Sequence, residues 1–230
     1  MSRTLLSKAK GIQFVRRNTR HDATHASINS ISKRAFDVAC ALGALLFLSP
    51  LLLAIAVLIK LDDGGPVLFR QRRIGRDGRH FPFLKFRSMS VNAEAALAEL
   101  IQRDAEAAKE WNKYKKLKKD PRITKIGHFI RRSSIDELPQ LINILTGDMS
   151  VIGPRPIMSD QIDDYGSNFD HYCAVRPGLS GLWQVSGRNE KTFQERASLD
   201  AEYVKSWTFF GDVKLVAQTV PVVLLSKGSF

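Results

Sequence analysis

Cysteine is scarce in this chain, and no cysteine or histidine pattern indicates a metal site. The two cysteines, Cys40 and Cys173, lie far apart in the sequence, which argues against a disulfide framework like those of small secreted domains. No CxxC pair or His/Cys cluster predicts zinc. No small-residue cleavage site follows the one long apolar run, which begins too far from Met1 for a secretory signal peptide. We therefore expect this run to remain in the mature protein.

Acidic residues are outnumbered by basic ones. The chain has 35 Lys and Arg against 23 Asp and Glu, a net charge of +12. This excess predicts anionic partners, and nucleic acid, an acidic membrane surface and a phosphorylated substrate all fit its sign. The absence of a helix-turn-helix or an aromatic RNA-binding signature predicts no nucleic-acid partner. Residues 1–32 are polar and basic, which predicts a disordered tail that either contacts anionic lipid or is simply solvated.

The longest apolar run covers residues 38–59 without a charge, about the 20 residues that a membrane-spanning helix needs. Ser49-Pro50 lies at its centre, where proline removes a backbone hydrogen bond and clashes with the preceding turn. Basic residues flank both ends, so the positive-inside rule gives no orientation. Two interpretations stay open: a helix that enters the bilayer and returns to the same face, and a kinked span. Tolerance of proline in transmembrane helices favours the span.

A β-hairpin is predicted after the apolar run. Alternating stretches flank Gly75-Arg76-Asp77-Gly78, a composition typical of a hairpin turn. The two-residue period places Phe81, Phe83, Lys85 and Arg87 on one face of the second strand. The two cations can then converge on an anionic ligand, and a solvated basic hairpin is the alternative.

Two further regions have apolar residues at helical spacing. Residues 92–118 are rich in Ala, Glu, Lys and Leu, and "DPRIT" ends the pattern. Residues 193–210 carry a second apolar stripe that runs into "VPVVLLSKGSF" at the C-terminus. This end is either an interfacial helix or a core helix with a hydrophobic tail.

Two adjacent carboxylates, Asp136 and Glu137, are the strongest candidates for chemistry. Ser134-x-x-Glu137 before an apolar run matches a capping box, which predicts both carboxylates in the first turn of a helix. Pro139 is awkward in that placement, so a helix that starts nearer Asp136 is the alternative. Either start puts the dyad at the positive end of a helix near Arg131, where carboxylates stay ionised and phosphate binds.

Two loops add candidate phosphate ligands. In Gly153-Pro154-Arg155-Pro156, the second proline directs Arg155 away from helical geometry, and a guanidinium held in a rigid turn binds phosphate through two hydrogen bonds. In "RPGLSGLWQVSGRN", closely spaced glycines between Arg176 and Arg188 allow backbone amides to approach a phosphate or a sugar. Ordinary surface turns are the alternative for both.

Taken in order, the motifs "KFRSM", "DPRIT", "RRSSIDELPQLINILTGDMSVIGPRP" and "VRPGLSGLWQVSGRN" resemble the bacterial sugar transferase family. These are monotopic polyprenyl-phosphate phosphoglycosyl transferases, and this chain is most similar to exopolysaccharide-initiating hexose-1-phosphate transferases of the ExoY type. The resemblance runs from Lys33 to the C-terminus. It implies an α+β, mostly helical protein on the cytoplasmic face of the bacterial inner membrane. Composition predicts the basic tail at 1–32. The resemblance implies a re-entrant membrane helix at 33–61 broken at Ser49-Pro50, followed by a cytosolic catalytic domain at 62–230 with the small β-hairpin and interfacial helices.

The resemblance also implies a reaction. UDP-hexose and undecaprenyl phosphate give undecaprenyl-diphosphate-hexose and UMP, with galactose expected before glucose as the sugar. Asp136 is the implied nucleophile and Mg²⁺ ligand, and Glu137 orients or deprotonates a reactant or helps to hold the metal. The implied phosphate-binding residues are Lys85, Arg87, Arg131, Arg155 and Arg188. The implied partners are these two substrates and anionic lipid of the cytoplasmic leaflet. A homodimer is left open, because related enzymes include dimers.

The main alternative is a non-enzymatic, membrane-anchored protein that binds anionic lipid or a phosphorylated ligand. It explains the charge and the apolar run, but it leaves the ordered "DELPQ", "GPRP" and "SGRN" motifs without a purpose.

Overall fold

The fold is mostly helical with little strand. The structure is a computed structural model that describes residues 27–114, 117, 120–187 and 191–224. The helices in these ranges are α1 Ile31–Asp63, α2 Ala93–Arg103, α3 Ala105–Tyr114, α4 Lys125–Arg132, α5 Gln140–Thr146, α6 Ile162–Tyr165, α7 Phe169–Cys173, α8 Leu182–Val185, α9 Phe193–Lys205 and α10 Phe209–Leu224. The strands are β1 Leu68–Ile74, β2 His80–Phe86, β3 Ser150–Ile152 and β4 Gly178–Ser180. The predicted mostly helical α+β class is confirmed.

α1 is helical from Ile31 to Asp63, through the Ser49-Pro50 pair, and the re-entrant path expected for this segment stays a prediction. Ser30 caps its start through a side-chain hydrogen bond, and Gly64 ends it with a left-handed φ of 72°. Pro50 deprives the Leu46 carbonyl of the amide that would bond to it four residues on. The Ser49 hydroxyl donates to this carbonyl instead, at 2.8 Å. The Ser-Pro pair thus supplies a replacement hydrogen bond, and helical residues continue through it.

Both ends of α1 pack against the rest of the protein, while its middle is exposed. Near the N-terminal end, Ala41 packs with residues of β2 and α5. Near the C-terminal end, Ile59 packs with the end of β2 and with α4. Between them, Leu46 and Phe47 are 68% and 83% exposed. Of the helices described above, α1 is the one long and apolar enough to cross a membrane, by length and composition.

The predicted β-hairpin is confirmed. β1 and β2 pair antiparallel, with Gln71 opposite Phe83 and Arg73 opposite Phe81. Both phenylalanines enter a core cluster that also contains residues of α5. Lys85 is two residues further along the same strand, and the hairpin therefore fixes its direction relative to the core.

A parallel strand pair explains the glycines of "GPRP" and "RPGLSG". β3 and β4 pair in parallel, and the pairing continues where the Gly153 amide donates to the Ser180 carbonyl at 2.9 Å. A Cβ on Gly178 would lie 2.1 Å from the Gly153 nitrogen, and one on Gly153 would lie 2.6 Å from the Arg176 carbonyl oxygen. These glycines let two backbones touch. For Gly178, this corrects the expectation that the glycines of "RPGLSGLWQVSGRN" let backbone amides approach a phosphate or sugar.

The predicted long helices are interrupted. The one expected over 92–118 is two helices, α2 and α3, because Asp104 between them is extended and its carboxylate accepts from the amides of Glu106 and Ala107. The stripe expected over 193–210 is divided between α9 and α10. Residues 1–26 of the predicted tail lie outside the described residues. The last part of that tail joins the fold, since Ile28 is buried against Val175.

Candidate active site

Asp136 and Glu137 lie in one short 3-10 turn, Ile135–Glu137, between α4 and α5. The predicted capping box is wrong: Ser134 has a left-handed φ of 56° and its side chain makes no capping hydrogen bond. α5 begins at Gln140, after Pro139. The left-handed residue turns the chain sharply, so the dyad is presented by a tight connection rather than by the first turn of an α-helix.

Lys85 and Arg155 meet at the Glu137 carboxylate. Lys85 Nζ lies 2.8 Å from Glu137 Oε1, and Arg155 Nη2 lies 2.8 Å from the same oxygen. Burial alone would raise the pKa of Glu137, but Arg155 and then Lys85 hold this pKa well below its ordinary value. Glu137 is therefore an ionised carboxylate, and it binds two of the cations that the sequence singles out.

Asp136 has a different environment from its neighbour. Its nearest cation is Lys85, whose Nζ lies 3.4 Å from Oδ2, and the residue is 7% exposed. Burial raises the pKa of Asp136, Lys85 opposes this shift, and the Glu137 charge adds to it. Two adjacent carboxylates thus have pKa values pushed in opposite directions, an arrangement typical of sites with separate roles for two acids.

Arg131 is a second cation near Asp136. Its Nε donates to the Ser88 hydroxyl at 2.8 Å, and its guanidinium interacts electrostatically with Asp136. Ser88 is held in place by "DPRIT", because its carbonyl accepts from the Thr124 amide at 3.2 Å. "KFRSM" and "DPRIT" therefore form one support for this arginine.

Arg87 is paired away from the dyad. The Arg87 guanidinium binds both carboxylate oxygens of Asp63, the last residue of α1, with Nη1 at 2.7 Å from Oδ2. Its assignment to phosphate stays a prediction. Arg188 lies outside the described residues. The structure thus brings Lys85, Arg131 and Arg155 to the dyad. Arg87 instead pairs with Asp63 at the end of α1.

Sequence reasoning missed the residues behind Arg155. Arg196 Nη2 donates to the Arg155 carbonyl at 2.9 Å, and Arg196 Nε lies 3.8 Å from Asp200. The Tyr165 hydroxyl donates to Asp200 at 2.5 Å. Burial raises the pKa of Asp200 to about 6. These residues lie in ordinary helical patterns on α6 and α9, so no local signal could have identified them.

Arg73 was also missed. It lies on β1, next to the hairpin cations, and it interacts electrostatically with Arg155 and Glu137. The sequence does show it, in "QRRIGRDG", but only as one of several closely spaced arginines.

The carboxylate oxygens of the dyad could bind a divalent cation if substrate and water supply the other ligands. No cluster of three or more His, Cys, Asp or Glu suitable for a metal occurs within the described ranges, which argues against an all-protein cage. Both Glu137 oxygens already accept from cations, so Asp136 is the better oxygen ligand. Mg²⁺ commonly binds through one or two carboxylates together with substrate phosphates and water, and the dyad is compatible with that mode.

Two carboxylates of contrasting pKa among lysine and arginine are compatible with group transfer between phosphorylated substrates. The sequence profile of the bacterial sugar transferase family matches residues 28–226. The chain belongs to this family, as its motifs predict, and it is a transferase.

Curated relatives share most of the chain. Over 203 residues, it is 45% identical to the exopolysaccharide production protein ExoY of Sinorhizobium fredii, which covers 88% of this chain and 90% of that one. Over 198 residues, it is 46% identical to the undecaprenyl-phosphate galactose phosphotransferase of Salmonella typhimurium, with 86% of this chain and 41% of that one covered. Over 208 residues, it is 37% identical to the UDP-glucose:undecaprenyl-phosphate glucose-1-phosphate transferase of Caulobacter vibrioides, with 87% and 72% covered.

Proposed function

We propose that this protein transfers hexose-1-phosphate from a UDP-sugar to undecaprenyl phosphate and releases UMP, as the first membrane step of exopolysaccharide assembly. The observation that supports this most is the contrast within the dyad. Glu137 is bound by Lys85 and Arg155, whereas among the described residues the one cation within 4.0 Å of buried Asp136 is Lys85, at 3.4 Å. Asp136 is therefore the carboxylate that can separate from Lys85 and attack the sugar-bearing phosphorus of the donor. The names of the relatives support both substrates.

The transfer takes place in two displacements. In the first, an Asp136 oxygen attacks the sugar-bearing phosphorus, the bond from this phosphorus to the bridging oxygen breaks, and UMP leaves with that oxygen. The sugar phosphate is then held on Asp136 as an acyl phosphate. In the second, an oxygen of the lipid phosphate attacks the same phosphorus, the bond to Asp136 breaks, and the carboxylate is regenerated. Such covalent catalysis divides one difficult step into two easier ones.

Charge is the main obstacle to the first displacement. Two unit charges about 4 Å apart repel by roughly 4 kcal/mol at an effective dielectric of about 20. Lys85, Arg131 and Arg155 surround the dyad and offset this repulsion. Guanidinium groups suit the task because their planar forks match phosphate oxygens.

Mg²⁺ is the proposed cofactor, with Asp136 as the protein ligand. When bound, it would neutralise charge on the diphosphate. Glu137 is expected to keep Lys85 and Arg155 in position until phosphate oxygens replace its own.

The proposed location is the cytoplasmic face of the bacterial inner membrane, with α1 entering the bilayer and returning. Two observations support this arrangement: both ends of α1 contact the same catalytic body, and its exposed middle contains Leu46 and Phe47. A straight span would carry one of these ends about 30 Å away across the hydrocarbon core.

Galactose is the proposed sugar, with glucose as the second candidate. The names of relatives include both a galactose phosphotransferase and a glucose-1-phosphate transferase. The two sugars differ in the configuration of one hydroxyl group, so the donor assay must compare them directly.

The test measures UMP release by the full chain in liposomes that contain undecaprenyl phosphate, with Mg²⁺ and either UDP-galactose or UDP-glucose. Asp136→Asn keeps the size of the side chain but removes its charge, and exposed Asp164→Asn on α6 is the matched control. We expect release that requires lipid acceptor, metal and Asp136, with Asp164→Asn unchanged. Near-normal turnover of Asp136→Asn would eliminate the covalent route. No release with either donor would favour the membrane-anchored binding protein.

A further inference from the structure

Arg155 lies between two prolines, and a residue of α9 holds its backbone. Pro154 and Pro156 have no backbone N–H to donate, and their rings restrict the chain on both sides of Arg155. The Arg155 carbonyl accepts a hydrogen bond from Arg196 Nη2 at 2.9 Å. The Arg155 side chain pairs with Glu137, with Nη2 2.8 Å from Oε1. A stiff turn therefore connects a contact at the backbone of this arginine to the ion pair at its side chain.

Arg196 itself is confined on several sides. Its guanidinium carbon lies 5.0 Å from the centre of the Trp183 ring and 5.1 Å from that of the Phe193 ring. Its Nε lies 3.8 Å from Asp200 Oδ2, and the Tyr165 hydroxyl donates to the same oxygen at 2.5 Å. Arg196 is 9% exposed and Asp200 is 2% exposed. The group that holds the turn is therefore fixed by two aromatic rings and a buried carboxylate.

Arg196 reaches the dyad only through another residue. Among the described residues, the one carboxylate within 4.0 Å of its guanidinium is that of Asp200. Its connection to Glu137 consists of the backbone contact with Arg155 followed by the Arg155 ion pair. A misplacement of a reacting or charge-stabilising group by about 1 Å can cost about a hundredfold in rate. A hydrogen bond that fixes the Arg155 backbone can therefore matter to the chemistry without touching a substrate.

We propose that Arg196 is a positioning residue for the transfer reaction. It sets the place of the Arg155 guanidinium beside Glu137 by holding the Arg155 backbone, and Asp200 and Tyr165 keep Arg196 in place. The inference rests on the proposed function, in which Arg155 offsets the charge of the donor diphosphate. It gives a part in the reaction to α9, which begins after the last of the sequence motifs.

The test is a double-variant cycle on kcat/KM for the UDP-sugar, measured as UMP release in liposomes with Mg²⁺ and undecaprenyl phosphate. Arg196→Gln removes the charge and shortens the side chain. It should lower kcat/KM by about tenfold to a hundredfold, because the Arg155 guanidinium is then misplaced. In Arg155→Gln the backbone carbonyl remains but the guanidinium is gone. Adding Arg196→Gln to this variant should therefore change the remaining kcat/KM by less than about twofold.

Stability measurements separate positioning from simple support of the fold. Arg196→Gln should lower the melting temperature by the same amount in both backgrounds, because the hydrogen bond to the carbonyl at position 155 is lost in each. A structural role alone would also reduce kcat/KM by the same factor in both backgrounds. Positioning makes the loss of kcat/KM depend on the presence of the Arg155 guanidinium.

Donor binding gives the same comparison if the residual turnover of Arg155→Gln is too small to measure. In an Asp136→Asn background the proposed mechanism transfers no sugar phosphate, so the dissociation constant of the preferred UDP-sugar can be titrated directly. Arg196→Gln should weaken binding when Arg155 is present and change it by less than about twofold in Arg155→Gln.

Two further variants serve as controls. Arg196→Lys keeps the charge and a donor, so its kcat/KM should lie between those of the wild type and Arg196→Gln. It replaces Arg196→Gln in the cycle if that variant does not fold. Lys205→Gln removes an exposed cation from the same helix and should leave kcat/KM within about twofold of the wild type.

Equal factors of loss in the two backgrounds would overturn the positioning role and leave the proposed function intact. A loss from Arg196→Gln no larger than that from Lys205→Gln would do the same. Absence of UMP release by the wild type with either donor would instead refute the proposed function, and this inference with it.

Discussion

Lys33 at the start of α1 and Asp212 in the first turn of α10 form a buried ion pair, with Nζ 2.9 Å from Oδ2. Lys33 also lies 2.7 Å from Asp37, and Asp212 accepts from the Tyr203 hydroxyl and the Trp207 indole at 2.9 and 3.0 Å. This network joins the first and last helices described. The N-terminal part of α1 is therefore held to the rest of the protein by buried ion pairs as well as by apolar packing.

Removing the Lys33 charge should be strongly destabilising. Lys33→Met leaves Asp37 and Asp212 buried without their cation, and such a loss costs about 3–5 kcal/mol of unfolding free energy. Thermal or denaturant unfolding in detergent would measure it, with Lys205→Met at the exposed end of α9 as the control. An effect no larger than that of the control would show that the network contributes nothing to stability.

Gly178 should tolerate no side chain. In Gly178→Ala the new Cβ would lie 2.1 Å from the Gly153 nitrogen and 2.3 Å from the Ser180 carbonyl oxygen. The parallel strands must separate, at a cost of about 3 kcal/mol or more. Gly43→Ala is the matched control, because nothing lies within 4 Å of its Cβ position. Equal melting temperatures for the two variants would contradict the packing role of Gly178.

Asp200 should make stability fall as the pH rises. Its pKa is raised to about 6, and its ordinary value is about 3.9. The folded state therefore holds a proton that the unfolded state loses between these values, and the contribution declines between about pH 4 and pH 6. Asp200→Asn lacks this titration. We expect the variant to gain up to about 3 kcal/mol relative to the wild type across that interval, measured by denaturant unfolding at each pH. A constant difference would contradict the raised pKa.

Arg87 and Asp63 should behave as one unit. If the Arg87 guanidinium is committed to Asp63, then Arg87→Gln and Asp63→Asn lose the same interaction, and the double variant is no worse than either one. We expect a coupling of about 1–2 kcal/mol in unfolding free energy, in the range usual for contacting residues. Additive effects, with loss of UDP-sugar binding in Arg87→Gln alone, would instead support the phosphate-binding role predicted from the sequence.

Local sequence patterns predicted helices and strands correctly where the structure of a segment depends on residues close to it in the chain. The alternation on either side of Gly75-Arg76-Asp77-Gly78 identified the hairpin, because side chains two residues apart share a strand face. The Ser134 capping box failed although its residue types were correct, since a left-handed backbone at that residue turns the chain before α5. At Ser49-Pro50 the helical assignment continues because the serine hydroxyl replaces the missing amide, and the re-entrant path stays a prediction.

The candidate site was predicted in part. The ordered motifs identified Asp136, Glu137, Lys85, Arg131 and Arg155, and the structure places all five together. Asp200 and Tyr165 were invisible because their contacts join residues 35 positions apart. The motifs singled out Arg87 and not Arg73, although among the described residues Arg87 has a carboxylate partner and Arg73 has none within 4.0 Å.

The sequence by itself determined the family, the long apolar helix and the kinds of groups that meet at the dyad, because these follow from composition, short periods and the order of motifs. Only the tertiary structure decided which arginines are already neutralised and which glycines serve strand packing. Both depend on which distant segments touch, and the free energy of a buried charge is set by its neighbours in space rather than by those in the chain.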